Sequence, residues 1–416
     1  MKLWSSLFLT AALALVPLSA AFAAECTIKT AGEVNVISSQ FPVLEVIAST
    51  MRNCESKDLT ITYDFLPRKH SEADEARALA FSERTIYDLI QVANGSIAVP
   101  QAAGQLMPLN ALIDKYRTRY QIEDGTLIKL DGNVMAVAFQ VNAQHLFYRK
   151  DLLSEHDISV PTTYAEVLAA AEALKAKAGM AHPLGGAYMK GWNLGLEFIN
   201  IYLAMGGELF KTGTAEAAFD SDTGIRTLKL MKGLVAHMPP NALLADTTMV
   251  MQQFQQGQIA MANLWASRAA KMDDRTESKV VGQIEFDAAP AVTPGGPPAT
   301  TLWWDGYVLP RTMDGDPDLA FQVMMEGLKA EVVEKHNDAA LWLRSVYKPG
   351  PFAKGVVACV QAGAPSYPIQ AQTTLAHMAL GDHIDGFLRG TDSAQGVLAE
   401  AKAAYTALAR QRGYLK

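Results

Sequence analysis

The feature that most constrains this chain is a strand–helix rhythm in its first hundred residues. "EVNVISS" (33–39) alternates apolar and polar side chains at period two, as a half-buried strand does. It runs into "QFPVLEVIASTMRN", where an early Pro42 and the spaced Val43, Val46 and Ile47 open a helix. "LTITYDF" (59–65) is a second strand, "SEADEARALAFSE" (71–83) a polar-rich helix, and "IYDLIQVA" (86–93) a third, mostly apolar strand. Strands separated by helices cannot pair as hairpins, so this order predicts a parallel, doubly wound sheet. Ligands of such sheets sit outside the carboxyl ends of the strands, here around Ser38 to Phe41 and Asn94 to Ser96. Gln40 and Asn94 occupy those positions, and each can donate and accept a hydrogen bond.

The rhythm changes at "LDGNVMAVAFQVNAQHLFYRKDLL" (130–153), an extended run without an intervening helix, as though the chain leaves one lobe for another. "PTTYAEVLAAAEALKAKAG" then reads as a helix with a Thr163/Glu166 capping box and a Gly179 stop. "GWNLGLEFINIYLAMGGELF" is a buried helix, and "VMQQFQQGQIAMANLW" is helix, turn and strand. "APAVTPGGPPATT" is a Pro/Gly connector that can carry a second crossing, and the alanine-rich tail (393–413) reads as a surface helix. The expected class is α/β: two doubly wound lobes joined by crossing strands, with a cleft between them. The expected boundaries are 24–138 with 298–345 for the first lobe and 139–297 with 346–416 for the second.

Lys2, the apolar stretch from Leu3 to Leu18 and Ala21-Phe22-Ala23 follow the order of a secretory signal peptide cleaved after Ala23. Glu25 precedes Cys26, which excludes the lipoprotein pattern, so a free periplasmic protein is expected. The remaining about 390 residues are too many for one ordinary core. A hydrophobic fraction of 50% excludes disorder as the main state. The formal charge of −7, with no compensating basic cluster, argues against a nucleic-acid partner. Cys26 opens the first strand region and Cys54 ends the helix that returns beside it. In an oxidising compartment that arrangement favours a Cys26–Cys54 disulfide, with two free thiols as the alternative. Cys359, in "GVVACV", reads as a buried small hydrophobe. No Cys/His spacing suggests zinc, and neither a metal nor a cofactor is expected.

The run "AVAFQVNAQHLFYRKDLLSEHDISVPTTYAEVLAAAEAL" resembles the family 1 extracellular solute-binding proteins of bacterial ABC importers, of the carbohydrate, maltose-binding type. "GWNLGLEFINIYLAMGGELF", "FQQGQIAMANLW" and "WDGYVLP" occur in that family's order at comparable spacing. The resemblance implies a ligand cleft between two α/β lobes, capture by closure, and delivery to a pair of membrane permease subunits by a monomeric binding protein.

Sugar or polyol recognition needs aromatic faces for C–H surfaces and planar polar groups for hydroxyls. Trp192 with Asn193, Trp265, the pair Trp303 and Trp304, and Tyr367 all lie at loop or strand ends. The resemblance puts those segments along the cleft. Neighbours on a strand point to opposite faces, so in "TLWWDGYVLP" one tryptophan packs inward and the other is free to face the cleft. On a regular strand Trp303 shares a face with Asp305. The family often has glycines here, so two tryptophans imply a smaller ligand. Arg344 is a candidate donor to vicinal hydroxyls or a carboxylate, and Asn142, inside the crossing, is hinge or ligand contact. A small carbohydrate or polyol is the leading ligand class. A cationic ligand such as an amino sugar or polyamine is the alternative, held by Asp305 beside tryptophan. A glycoside-processing enzyme is a distant third, because no acidic pair sits in a catalytic motif.

Overall fold

In the computed structural model, residues 26–66, 76–83 and 85–416 are described. The signal-peptide segment and residues 71–75 of the polar-rich stretch at 71–83 lie outside them; of that stretch, 76–80 is helical.

The chain builds two sheets. The first contains β1 (Gly32–Ser38), β2 (Leu59–Phe65), β3 (Leu89–Ala93), β4 (Leu127–Leu130) and β5 (Asn133–Asn142). The second contains β6 (Gln144–Arg149), β7 (Leu184–Gly185), β8 (Met261–Trp265) and β9 (Ile284–Asp287). The chain then returns to the first sheet with β10 (Trp303–Val308) and β11 (Leu341–Trp342). The strand orders are β11-β5-β10-β3-β1-β2, with β4 also on β5, and β7-β8-β6-β9. β1 pairs in parallel with β2 and β3, as the strand–helix rhythm requires. β10 inserts antiparallel between β3 and β5, and β6 runs antiparallel to both its neighbours, so each sheet is mixed rather than purely parallel.

Two crossings set the geometry between the sheets. The first is a single residue, the fully buried Ala143, between the end of β5 and the start of β6. The second is the Pro/Gly connector between β9 and β10. Apolar faces on either side make separate cores. One gathers Val34, Leu44, Ile47, Tyr307 and Phe321 under the first sheet, and another gathers Leu146, Leu196, Phe198, Met261 and Tyr405 in the second lobe.

The marked helix spans Tyr164–Ala178, with the Thr163 hydroxyl accepting from the Glu166 amide at 3.3 Å and the Glu166 carboxylate accepting from the Thr163 amide at 3.0 Å. Helix Trp192–Ala204 is buried on nearly every side. It can be so because Gly195 lets helix Thr373–His383 come close: a Cβ there would overlap the His377 carbonyl. The alanine-rich tail, helix Ala394–Gln411, docks Val397, Leu398, Ala401 and Tyr405 into the second core. Cys26 and Cys54 form a disulfide with Cα atoms 5.1 Å apart, and Cys359 is a buried thiol. Burial pushes that thiol up to about 11.

Candidate functional site

Four aromatic residues distant in sequence meet where the two lobes face each other. Trp192 begins helix Trp192–Ala204, Trp265 ends β8, Trp303 begins β10 and Tyr367 follows the bridge between Leu302 and Ser366. Ring centroids lie 6.2 Å apart for Trp192–Trp265, 5.8 Å for Trp192–Trp303 and 5.9 Å for Trp265–Trp303. Trp303 and Tyr367 approach to 4.0 Å. Trp192 and Trp265 remain half-exposed, whereas Trp303 and Tyr367 are buried. His377 backs the group, its ring stacked on Trp192 at 5.2 Å. The His377 Nε2 lies 2.7 Å from the Trp192 carbonyl, which can only accept, so Nε2 carries the hydrogen. In the neutral ring Nδ1 then accepts from the Tyr367 hydroxyl at 2.8 Å.

A directional hydrogen-bond chain holds Trp303. Its indole Nε1 donates to the Thr301 hydroxyl at 3.0 Å, which donates to the Asn200 Oδ1 at 2.8 Å. The Asn200 amide donates to the Gln144 Oε1 at 2.9 Å, and the Gln144 amide to the Glu197 carboxylate at 2.9 Å. Thr301 belongs to the second crossing and Gln144 follows the first, so one buried network ties both to helix Trp192–Ala204. Burial pushes the Glu197 carboxyl up to about 7, the Gln144 donation opposing it. Beside Glu197 lies a partly open pocket of about 30 Å³ that Tyr164, Tyr188 and Asn263 help to line.

The first-lobe wall is polar. Asp305 on β10 accepts from Gln140 at 2.7 Å and from Gln91 at 2.9 Å, the adjoining strands supplying one carboxamide each. Gln91 also accepts from the Ser39 amide at 3.2 Å, at the carboxyl end of β1. Burial pushes the Asp305 carboxyl up to about 6, while Gln140, the Arg77 charge and Gln91 pull it back. A register shift at Asp305/Gly306 shapes this strand. Gly306 is needed there, since a Cβ would lie 2.6 Å from the Val137 carbonyl.

The two tryptophans of "WWDG" serve two cores. Trp303 belongs to the second-lobe cluster, and Trp304, half-buried, packs against the first-lobe cluster of Ile37, Ile90, Val92 and Val308. Asn94 is spent on the same strand: it accepts from the Trp304 amide at 2.7 Å and donates to the Leu302 carbonyl at 3.2 Å. Asn193 is buried and accepts from the Thr247 hydroxyl at 3.4 Å. Asn142, opposite Trp303 in register, donates to the Ser267 hydroxyl at 3.4 Å, and its buried Oδ1 has no partner among the described residues.

Two candidates from the sequence lie outside this constellation. Gln40 is exposed and donates to Glu45 in the helix that follows it at 3.2 Å. Arg344 is buried at the end of helix Asn110–Tyr120, donating to the Tyr120 carbonyl at 3.1 Å with Glu123 at 3.7 Å. Conversely, Gln91, Gln140, Thr301, His377 and Glu197 escaped sequence reading. The signal for the first two was a glutamine inside an otherwise apolar strand; His377, on an ordinary helical stretch, carried none. Among the described residues the one cluster with metal-ligand geometry is Cys26, Cys54 and Glu326, and both its sulfurs are bonded to each other.

Comparison with known proteins agrees with this architecture. The model of the bacterial extracellular solute-binding protein family matches residues 57–314. An ABC transporter solute-binding protein from Agrobacterium radiobacter K84, solved in complex with ribitol, shares 22% identity at a TM-score of 0.78, over 91% of this chain and 99% of that one. T. maritima MalE3, solved with maltose, shares 18% at 0.77, over 90% and 99%. A solute-binding protein from Agrobacterium vitis S4 with bound D-mannitol shares 17% at 0.75, over 92% and 100%. At these identities the likeness is one of fold, and the family match rests on more than half of the chain itself. Two α/β lobes, two crossings and the family match lead to one conclusion: the chain belongs to the bacterial extracellular solute-binding proteins.

Proposed function

We propose that this protein is the substrate-binding subunit of an ABC importer, exported to the periplasm with its leader removed after Ala23. It captures a small neutral polyol or carbohydrate between two lobes, divided near 138/139, 297/298 and 345/346, and delivers it to membrane permease subunits. The observation that carries the ligand class is the meeting of aromatic faces from Trp192, Trp265, Trp303 and Tyr367 near an acceptor carboxylate, Asp305, set on two carboxamides. Indole faces suit C–H surfaces, and a carboxylate suits hydroxyls. The ribitol and D-mannitol held by two similar structures belong to the same chemical class. Closure follows from ligand contacts available only when both walls meet.

The alternative, a cationic ligand, draws on Asp305 beside indoles. Its charge is opposed by Arg77, so that carboxylate does not offer an uncompensated field. That balance favours a neutral ligand. Calorimetric titration against ribitol, D-mannitol, hexoses, glucosamine and spermidine decides between the two; preference for the amines overturns the neutral reading. We expect no turnover, so prolonged incubation should leave any bound glycoside intact. Affinity should fall as pH drops through about 6, where Asp305 becomes protonated and accepts more weakly from hydroxyls, and Asp305→Asn should bind weakly with a flat profile.

A further inference from the structure

The second-lobe wall contains a guanidinium whose buried Nε has no hydrogen-bond partner among the described residues. Arg268 lies three residues beyond Trp265, in the short helix Ala266–Asp273. That segment is fastened to the first crossing: the Ala266 amide donates to the Ala143 carbonyl at 3.0 Å, and Ser267 receives the Asn142 amide at 3.4 Å. Arg268 is half-buried, and its buried Nε has no hydrogen-bond partner among the described residues. Asp246 acts on it as a charge, and Asp246 precedes the Thr247 whose hydroxyl reaches Asn193, next to Trp192. Arg268 is therefore on the wall that carries Trp192 and Trp265, one residue along from the contact of Asn142. Arg344, the arginine that sequence reading favoured, is held in the first lobe by Tyr120 and Glu123.

Leaving a buried donor and a buried acceptor unpaired is costly, and chains avoid it unless something else satisfies them. At this place the donor is the Arg268 Nε and the acceptor is the Asn142 Oδ1. We propose that Arg268 and Asn142 form a hydroxyl-recognition subsite at the hinge end of the cleft, resting on the polyol reading above. A hydroxyl matches both groups, accepting from the guanidinium and donating to the amide oxygen. A carboxylate accepts only, so it leaves the Asn142 oxygen unpaired and meets, as a like charge, the Asp246 that acts on Arg268. The subsite thus selects polyols over the sugar acids made by their oxidation.

The test is titration of ribitol, D-mannitol and D-gluconate into the wild-type protein, Arg268→Met and Asn142→Ala, with ligand-free melts alongside. Wild type should prefer the polyols. Arg268→Met should weaken polyol binding by roughly 10- to 100-fold, the effect expected for hydrogen bonds to a charged donor. Its ligand-free melting temperature should stay level, since the buried Nε has no hydrogen bond to lose among the described residues. Asn142→Ala should weaken binding by about 10-fold or less. Polyol affinity unchanged in Arg268→Met, or a lowered melting temperature with affinity intact, assigns Arg268 to the scaffold and overturns the subsite. Preference of the wild type for gluconate overturns the hydroxyl assignment while leaving the cleft intact. Binding of none of the three overturns the polyol reading and the subsite with it.

Discussion

Trp303 and Trp304 are adjacent in sequence yet answer to different cores, so their truncation should have different consequences. Trp303→Ala removes a ring packed on Trp192, Trp265 and Tyr367 and leaves the Thr301 hydroxyl without its donor. It should cost about 3–5 kcal/mol of stability and also abolish most ligand affinity, because the neighbouring rings lose their support. Trp304→Ala should lower the melting temperature less and leave affinity unchanged, since Trp304 packs on the first-lobe cluster. Calorimetry with parallel melts separates these outcomes. Glu197 yields a second prediction. Burial pushes its folded-state carboxyl up to about 7, above its ordinary value of 4.5, so the folded protein holds that proton more tightly than the unfolded chain. Stability from this group is then fully present below about pH 4.5 and is lost as pH rises through about 7. Glu197→Gln keeps an acceptor for Gln144 and removes the charge. Denaturation at pH 8 should show the variant more stable by on the order of 2–3 kcal/mol, with the difference vanishing towards pH 4.5.

The element that organises the site is helix Trp192–Ala204, which presents Trp192 at its start and supplies Glu197 and Asn200 to the clamp on both crossings. Its neighbour, helix Thr373–His383, contributes His377, and Gly195 is the point of closest approach. Gly195→Ala should push the two helices apart, because the new methyl meets backbone as well as the imidazole. A loss of about 1–3 kcal/mol is expected, the range for overpacking a tight core. Indole fluorescence should shift to the red as Trp192 leaves His377. An unshifted spectrum with wild-type stability would show that the helix pair has slack. The "LIQVA" and "AVAFQVN" strands belong to the same scale: each places one glutamine among apolar residues, and the two glutamines converge on Asp305.

For the whole molecule, the Cys26–Cys54 disulfide closes a loop of 28 residues at the outer edge of the first lobe, where Arg119 donates to the Thr27 carbonyl at 2.9 Å. Reduction, or the double change to serine, should cost about 3 kcal/mol by loosening the unfolded chain. Ligand affinity should not change, because the bridge touches none of the cleft aromatics. A binding defect in the folded, reduced protein would show that the two lobes communicate through the N-terminal segment. Cys359 is the opposite case: its buried thiol should resist alkylation in the native protein and react once the chain is denatured.

Local chemistry and periodicity determined much of this protein from sequence alone. The strand–helix rhythm of residues 33–93, the Thr163/Glu166 capping box with its Gly179 stop, the helix at 192 and the two crossings all follow from patterns a few residues long, which is the range over which backbone propensity and alternation act. Trp192, Trp265, Trp303 and Tyr367 stand out in the sequence because aromatics at strand and loop ends are conspicuous, and the fold brings their rings together. Which polar groups remain available was decided only by tertiary structure. Asn94 and Arg344 have suitable chemistry, but backbone carbonyls and an amide distant in sequence consume it. Arg268 looked no different from many other charges until the fold half-buried it with no partner for its Nε among the described residues, and Asp305, conspicuous beside the tryptophans, showed its two carboxamide partners only in the fold. Hydrogen-bond satisfaction depends on groups brought together from hundreds of residues apart, and one chain read in order does not contain that pairing.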